Sequence, residues 1–177
     1  MKKLAVLLLS VCILLGTAGC YFVDGGKFST LKGTYQLTTL HRSYQDVEIG
    51  SVDVLQTKEI VAYLIIYSQS EAYYVYGDKN NELTCYQVSI RLEYSQENSS
   101  LVEYVTFRDG DGGHLGYHKK NKTLSQQLPA FTIAGYGRNY SETTTYTRVS
   151  TAADLSYVQQ KLAVTLTPVS GVAVPRP

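Results

Sequence analysis

Tryptophan is absent from this chain, methionine occurs once, and cysteine occurs three times in 177 residues. So few cysteines, two of them within the first twenty positions, exclude a disulfide-stapled scaffold. Stability must come from buried apolar surface. Charge is scarce too: Asp, Glu, Lys and Arg make up 18% of the chain, and the formal net charge is +1. With no block of basic residues, nothing in that balance attracts nucleic acid or an anionic membrane face. The first apolar run covers residues 4–15, short of the roughly 20 residues that a spanning helix needs.

Lys2 and Lys3 precede that run, and Gly16, Thr17, Ala18, Gly19 and Cys20 follow it. A charged start, a short apolar stretch and a small-residue cleavage site predict a secretory signal peptide. The cysteine after Gly19 makes the segment resemble a bacterial lipobox, with Thr17 where leucine is usual. The resemblance implies cleavage before Cys20, lipid on its thiol, and a membrane as partner through that N-terminal lipid. Two or more acyl chains give a stable hold, so the folded part is expected on a membrane surface, facing out of the cytoplasm. The chain then divides into a signal peptide at 1–19, a linker at 20–30, a folded domain at 31–163 and an extended tail at 164–177. Removing 19 of 177 residues leaves 158, enough for one domain with its own core, and takes the formal charge to −1. Cys85 is then the one thiol left without lipid, in a strand-like run where a small buried hydrophobe is expected.

What the sequence does have is tyrosine: 16 against 4 phenylalanines. Tyrosine suits strands, where one ring face can pack while the hydroxyl stays wet. Strand signals begin at 34–41, and a polar stretch at 42–50 reads as a loop. A short strand is expected at 52–55. Residues 60–67 form the most apolar run after the leader, read as a buried strand by its length and branched side chains. Residues 72–76 follow as a strand, and 77–81 as a hairpin turn. The run 84–94 shows strict alternation. Val88, Ile90, Leu92 and Tyr94 fall on one face, with Gln87, Ser89, Arg91 and Glu93 on the other, the mark of a sheet with one dry and one wet face. Further strands are expected at 101–107, 115–118, 122–125 and 141–149. Between the last two, Pro129 blocks a central strand. Asp154 then starts a helix over about 152–163, with Leu155, Val158 and Leu162 at helical spacing.

Sequential short strands and one late helix predict an all-β fold, an up-and-down antiparallel barrel whose closure removes exposed edges. At this level the chain resembles a lipocalin-like lipoprotein. Lipocalins open their first strand with Gly-x-Trp, and Gly33, Thr34 and Tyr35 stand at that place with Tyr for Trp. The final strand followed by a helix matches the family's order. The resemblance implies a barrel with a ligand cup, and an Arg148 packed over the aromatic ring of the first motif.

No sequence feature points to an enzyme, a cofactor or a metal. Asp109, Gly110, Asp111, Gly112 and Gly113 open like a calcium loop but lack its later ligands, and read as a hairpin turn. His114 and His118 on a strand would stand about 13 Å apart, too far to share one ion. Gly-x-Ser-x-Gly is absent. The expectation is a non-enzymatic, membrane-tethered barrel that holds a small apolar or amphipathic molecule, or has no ligand beyond its own packed core. Val88, Ile90, Leu92, Tyr94 and Tyr35 are its expected ligand-binding residues. The alternative is a surface module binding a protein or cell-wall glycan through exposed tyrosines. Tyr63, Tyr67, Tyr73, Tyr74, Tyr76, Tyr94 and Tyr104 serve either that surface or the packing of the barrel and its wall.

Overall fold

The structure is a computed structural model that describes residues 30–44, 51–68, 70–97, 100–107, 114–133 and 138–172. The leader, Cys20, nearly all of the linker, and the Asp109–Gly113 turn lie outside the described residues. The chain splits into two units, Met1–Leu31 and Lys32–Pro177, and the second carries the sheet. Its strands are β1 (Gly33–Tyr44), β2 (Ser51–Asp53), β3 (Val61–Ile66), β4 (Glu71–Asp78), β5 (Asn81–Glu97), β6 (Ser100–Phe107), β7 (His114–His118), β8 (Thr123–Ile133), β9 (Arg138–Ser150) and β10 (Pro168–Val169).

The pairing order β5-β4-β3-β1-β9-β8-β7-β6 closes on itself through β5 and β6. Eight antiparallel strands therefore form a closed up-and-down barrel, with β2 paired beside β1 and β10 beside β5. This is the lipocalin-like all-β architecture, completed by a helix at Leu155–Leu162. At one end of the barrel lie the start of β1 and the end of β9, with the β3–β4, β5–β6 and β7–β8 connections. At the other lie the long β1–β3 connection and the remaining hairpins.

The apolar run at 60–67 is explained by burial on both faces. Leu64 and Ile66 face the barrel interior, while Tyr63 and Ile65 lie beneath the helix with Val75, Cys85, Val158 and Leu166. A strand covered on both sides reads as a continuous apolar run. β5 has no such cover along its later half, so Val88 and Ile90 are buried while Gln87 and Arg91 face solvent.

The helix is tied to the wall by polar as well as apolar contacts. Asp154 caps it by accepting from Ser156 N at 2.8 Å, and Leu155 N donates to the Tyr67 hydroxyl at 2.9 Å. Lys161 Nζ donates to Gln36 Oε1 at 2.9 Å and sits over the Tyr63 ring. The cap at Asp154 starts the helix three residues later than the 152 read from the sequence.

Three further differences from the sequence reading have local causes. The short strand expected at 52–55 ends at Asp53, whose side chain caps a helical turn at Val54–Thr57 by accepting from Gln56 N. Pro129 does not interrupt β8: the register shifts between Leu128 and Phe131, and such an irregularity tolerates a residue without an N–H. The tail is not merely extended, because Pro168 and Val169 pair in parallel with Cys85 and Tyr86.

Candidate functional site

Alternation along each strand decides what faces the interior. On β5, Val88 and Ile90 are buried and inward, and Leu92, opposite Val105, is half-buried. These three expected residues therefore share one wall. Tyr94 pairs with Glu103 in the ladder, and its side chain lies outside the described ones. β1 needs one correction to simple alternation. A register shift between Leu37 and Thr39 moves the inward set from Tyr35 and Leu37 to Leu40 and Arg42.

Tyr35 is fully enclosed at the end of the barrel where β1 begins. Arg148 Nη2 and Nε donate to its hydroxyl at 2.8 and 3.2 Å, and the guanidinium lies 5.3 Å from the ring centroid. The same Nη2 donates to the Tyr117 hydroxyl at 3.1 Å. Arg148 thus sits over the first-motif aromatic, as the lipocalin resemblance implied. Burial pushes the Tyr35 phenol up to about 12, against the opposing pull of Arg148. The glycine of the motif has a steric role. Gly33 adopts φ of +151°, and a Cβ there would stand 2.6 Å from Ser150 O and 3.4 Å from Arg148 Nε. Tyr35 therefore fills the end of the barrel where β1 begins, with its hydroxyl already engaged.

A second polar group lies toward the other end. Arg42 Nε donates to Glu142 Oε2 at 2.7 Å, with both side chains largely buried, and Thr144 donates to Glu142 Oε1. Tyr76 donates to Asp78 Oδ2 at 2.7 Å. Burial first, then that hydrogen bond, raises the Tyr76 phenol above its ordinary range. The Tyr76 hydrogen bond, followed by the Asn80 N–H, holds Asp78 down at about 2. Between these groups, Tyr74 packs against the rings of Tyr76, Tyr86 and Phe107. Its hydroxyl faces Tyr146 without a hydrogen bond of good geometry. Burial pushes Tyr146 up to about 12 and Tyr74 well above its ordinary value.

The chain matches no protein-family model, no curated protein and no solved structure.

The histidines of β7 stand at its two ends. His114 hydrogen-bonds Thr106 Oγ1 at 2.8 Å and stacks on Tyr104, while His118 hydrogen-bonds Ser125. Among the described residues no three His, Cys, Asp or Glu side chains come together to hold a metal. The tyrosines divide between the two sides of the sheet. Tyr74 and Tyr76 are inside, Tyr63, Tyr67 and Tyr73 lie against the outer wall under the helix, and Tyr104 lies over Gly116. No described tyrosine is fully exposed.

The sequence reading missed Tyr117, Tyr146, Arg42, Glu142 and Glu103 as interior residues. Arg42 read as the start of a loop because the β1 irregularity hides its phase. Glu103 did carry a signal: it shares a face with Val105 and Phe107, an acid in line with apolar residues.

Proposed function

We propose that this protein is an exported lipoprotein, anchored to a membrane through lipid on Cys20, whose barrel binds a small apolar or amphipathic ligand without catalysing a reaction. The anchoring half draws on the lipobox resemblance at 16–20. The binding half draws on one observation above the others: a closed barrel whose inward wall joins Val88 and Ile90 to tyrosines with buried hydroxyls. A wall of that kind offers apolar contact together with a few hydrogen-bonding points that orient a guest. Eight strands enclose just enough width for side chains or one small ligand. Tyr35 and Arg148 fill the end of the barrel at which β1 begins, which supports ligand entry from the opposite end.

Mass spectrometry of the protein purified from its own membrane under native conditions tests both halves. The expected spectrum shows an acylated Cys20 and a co-purifying small molecule. Unmodified Cys20 ends the anchoring claim, and a barrel recovered empty in repeated preparations ends the carrier claim.

A further inference from the structure

Among the described residues, two buried side-chain polar atoms make no hydrogen bond of good geometry: the Tyr74 hydroxyl, which faces Tyr146, and Oε2 of the half-buried Glu103. Such atoms are rare, and each needs a reason. Both belong to the barrel interior. Tyr74 is 2% exposed and its ring meets Phe107 at 6.3 Å. Glu103 lies on the same strand as Phe107 and on the same face, and pairs across the ladder with the inward Tyr117. Between Phe107 and Glu103 comes Val105, with Leu92 and Leu115 opposite it on the two flanking strands. At about 3.3 Å per residue, the four steps from Phe107 to Glu103 span about 13 Å. Phe107, whose ring Tyr74 meets, and Glu103 thus stand at separate levels of this wall, with apolar side chains between them.

Their chemistries differ. A carboxylate oxygen only accepts hydrogen bonds, and enclosed without a partner it is costly unless a donor, best a cation, meets it. A phenol both donates and accepts. We infer that the barrel takes an elongated small molecule with an apolar middle, a primary amine directed to Glu103 and a hydroxyl or carbonyl directed to Tyr74. This inference rests on the carrier reading above and adds the polarity of the ligand. The interior cations do not weigh against it. Arg42 is neutralised by Glu142, and Arg148 is engaged with the Tyr35 and Tyr117 hydroxyls.

Isothermal titration calorimetry near neutral pH tests it on the folded, delipidated protein. The probes are dodecylamine, dodecanol, dodecanoate and the α,ω-amino alcohol of dodecane, each kept below its micelle-forming concentration. The amine is expected to bind at least about tenfold more tightly than the alcohol, the range of one charge-assisted hydrogen bond. Dodecanoate should bind weakest. Glu103→Gln, nearly the same shape, should erase the preference for the amine. The added hydroxyl of the amino alcohol should tighten binding to the native protein and not to Tyr74→Phe. Thermal unfolding checks that both variants fold. If alcohol or carboxylate binds as tightly as the amine, or the preference survives Glu103→Gln, the inference falls while the carrier reading stands. If no probe binds, both fall.

Discussion

Raising the pH should unfold this barrel cooperatively, because its enclosed phenols resist ionisation in the folded state. Tyr35 and Tyr146 are each pushed from an ordinary value of 10.0 to about 12. In the unfolded chain both ionise near 10. A raised folded value means that the stabilisation is complete below pH 10 and is lost as the pH climbs through 12, since the unfolded state sheds its protons first. Two units correspond to about 2.7 kcal/mol for each residue, and so to roughly 5 kcal/mol for the pair. Tyr74, shifted in the same direction, adds to that sum. A loss of this size is comparable to the whole stability of an ordinary domain. The assay is simple because the chain has no tryptophan and 16 tyrosines. Tyrosinate absorbance is followed with circular dichroism as alkali is added. We expect two phases: exposed phenols ionise first with the sheet intact, and the enclosed ones ionise together with loss of the β signal. Tyr146→Phe should make the second phase shallower. A single ionisation curve centred near 10 with the sheet signal retained would refute the enclosure of these rings.

Arg148→Ala removes three hydrogen bonds to phenol oxygens and takes the guanidinium from the buried Tyr35 hydroxyl. A loss of about 2–4 kcal/mol is expected in chemical denaturation, and Arg148→Lys should restore only part of it because a single ammonium cannot reproduce the fork. Val158→Ala opens a hole beneath the helix, where the native side chain is 0% exposed. It should cost about 2 kcal/mol and speed labelling of Cys85, whose thiol burial holds up at about 11. Asp78→Asn tests the β4–β5 turn, where Asp78 accepts from Asn80 N, Asn81 N and Tyr76. Its lowered value makes its contribution present above about pH 4 and lost as the pH falls to about 2. Thermal melts of variant and wild type should therefore differ near neutrality and converge in acid.

The barrel was legible wherever one side of a strand is wet. Val88 and Ile90 alternate with Gln87 and Ser89 because only the interior side excludes water there, and that phase gave the inward wall correctly. β3 was legible as a strand, but its phase was not, since helix and interior cover both sides. The interior polar set was the hardest part. The β1 irregularity at Leu37 and Thr39 inverts the phase before Arg42. Arg42 and Glu142 meet across 100 residues of sequence, a spacing that no local pattern encodes. The Tyr35–Arg148 contact joins residues 113 apart and came through family likeness alone.

The β5 strand changes neighbours midway. Asn81 to Ser89 pair with β4, and Ile90 to Glu97 pair with β6. Along its first half the second margin is matched, among the described residues, at Cys85 and Tyr86 by the Pro168–Val169 segment. A piece of chain near the C-terminus thus completes a wall laid down in the middle, and β9 must likewise reach back to β1. During synthesis neither seam can form until almost the whole polypeptide has emerged. Partial chains are therefore open ribbons with unsatisfied amides, the form most prone to recruit a second copy.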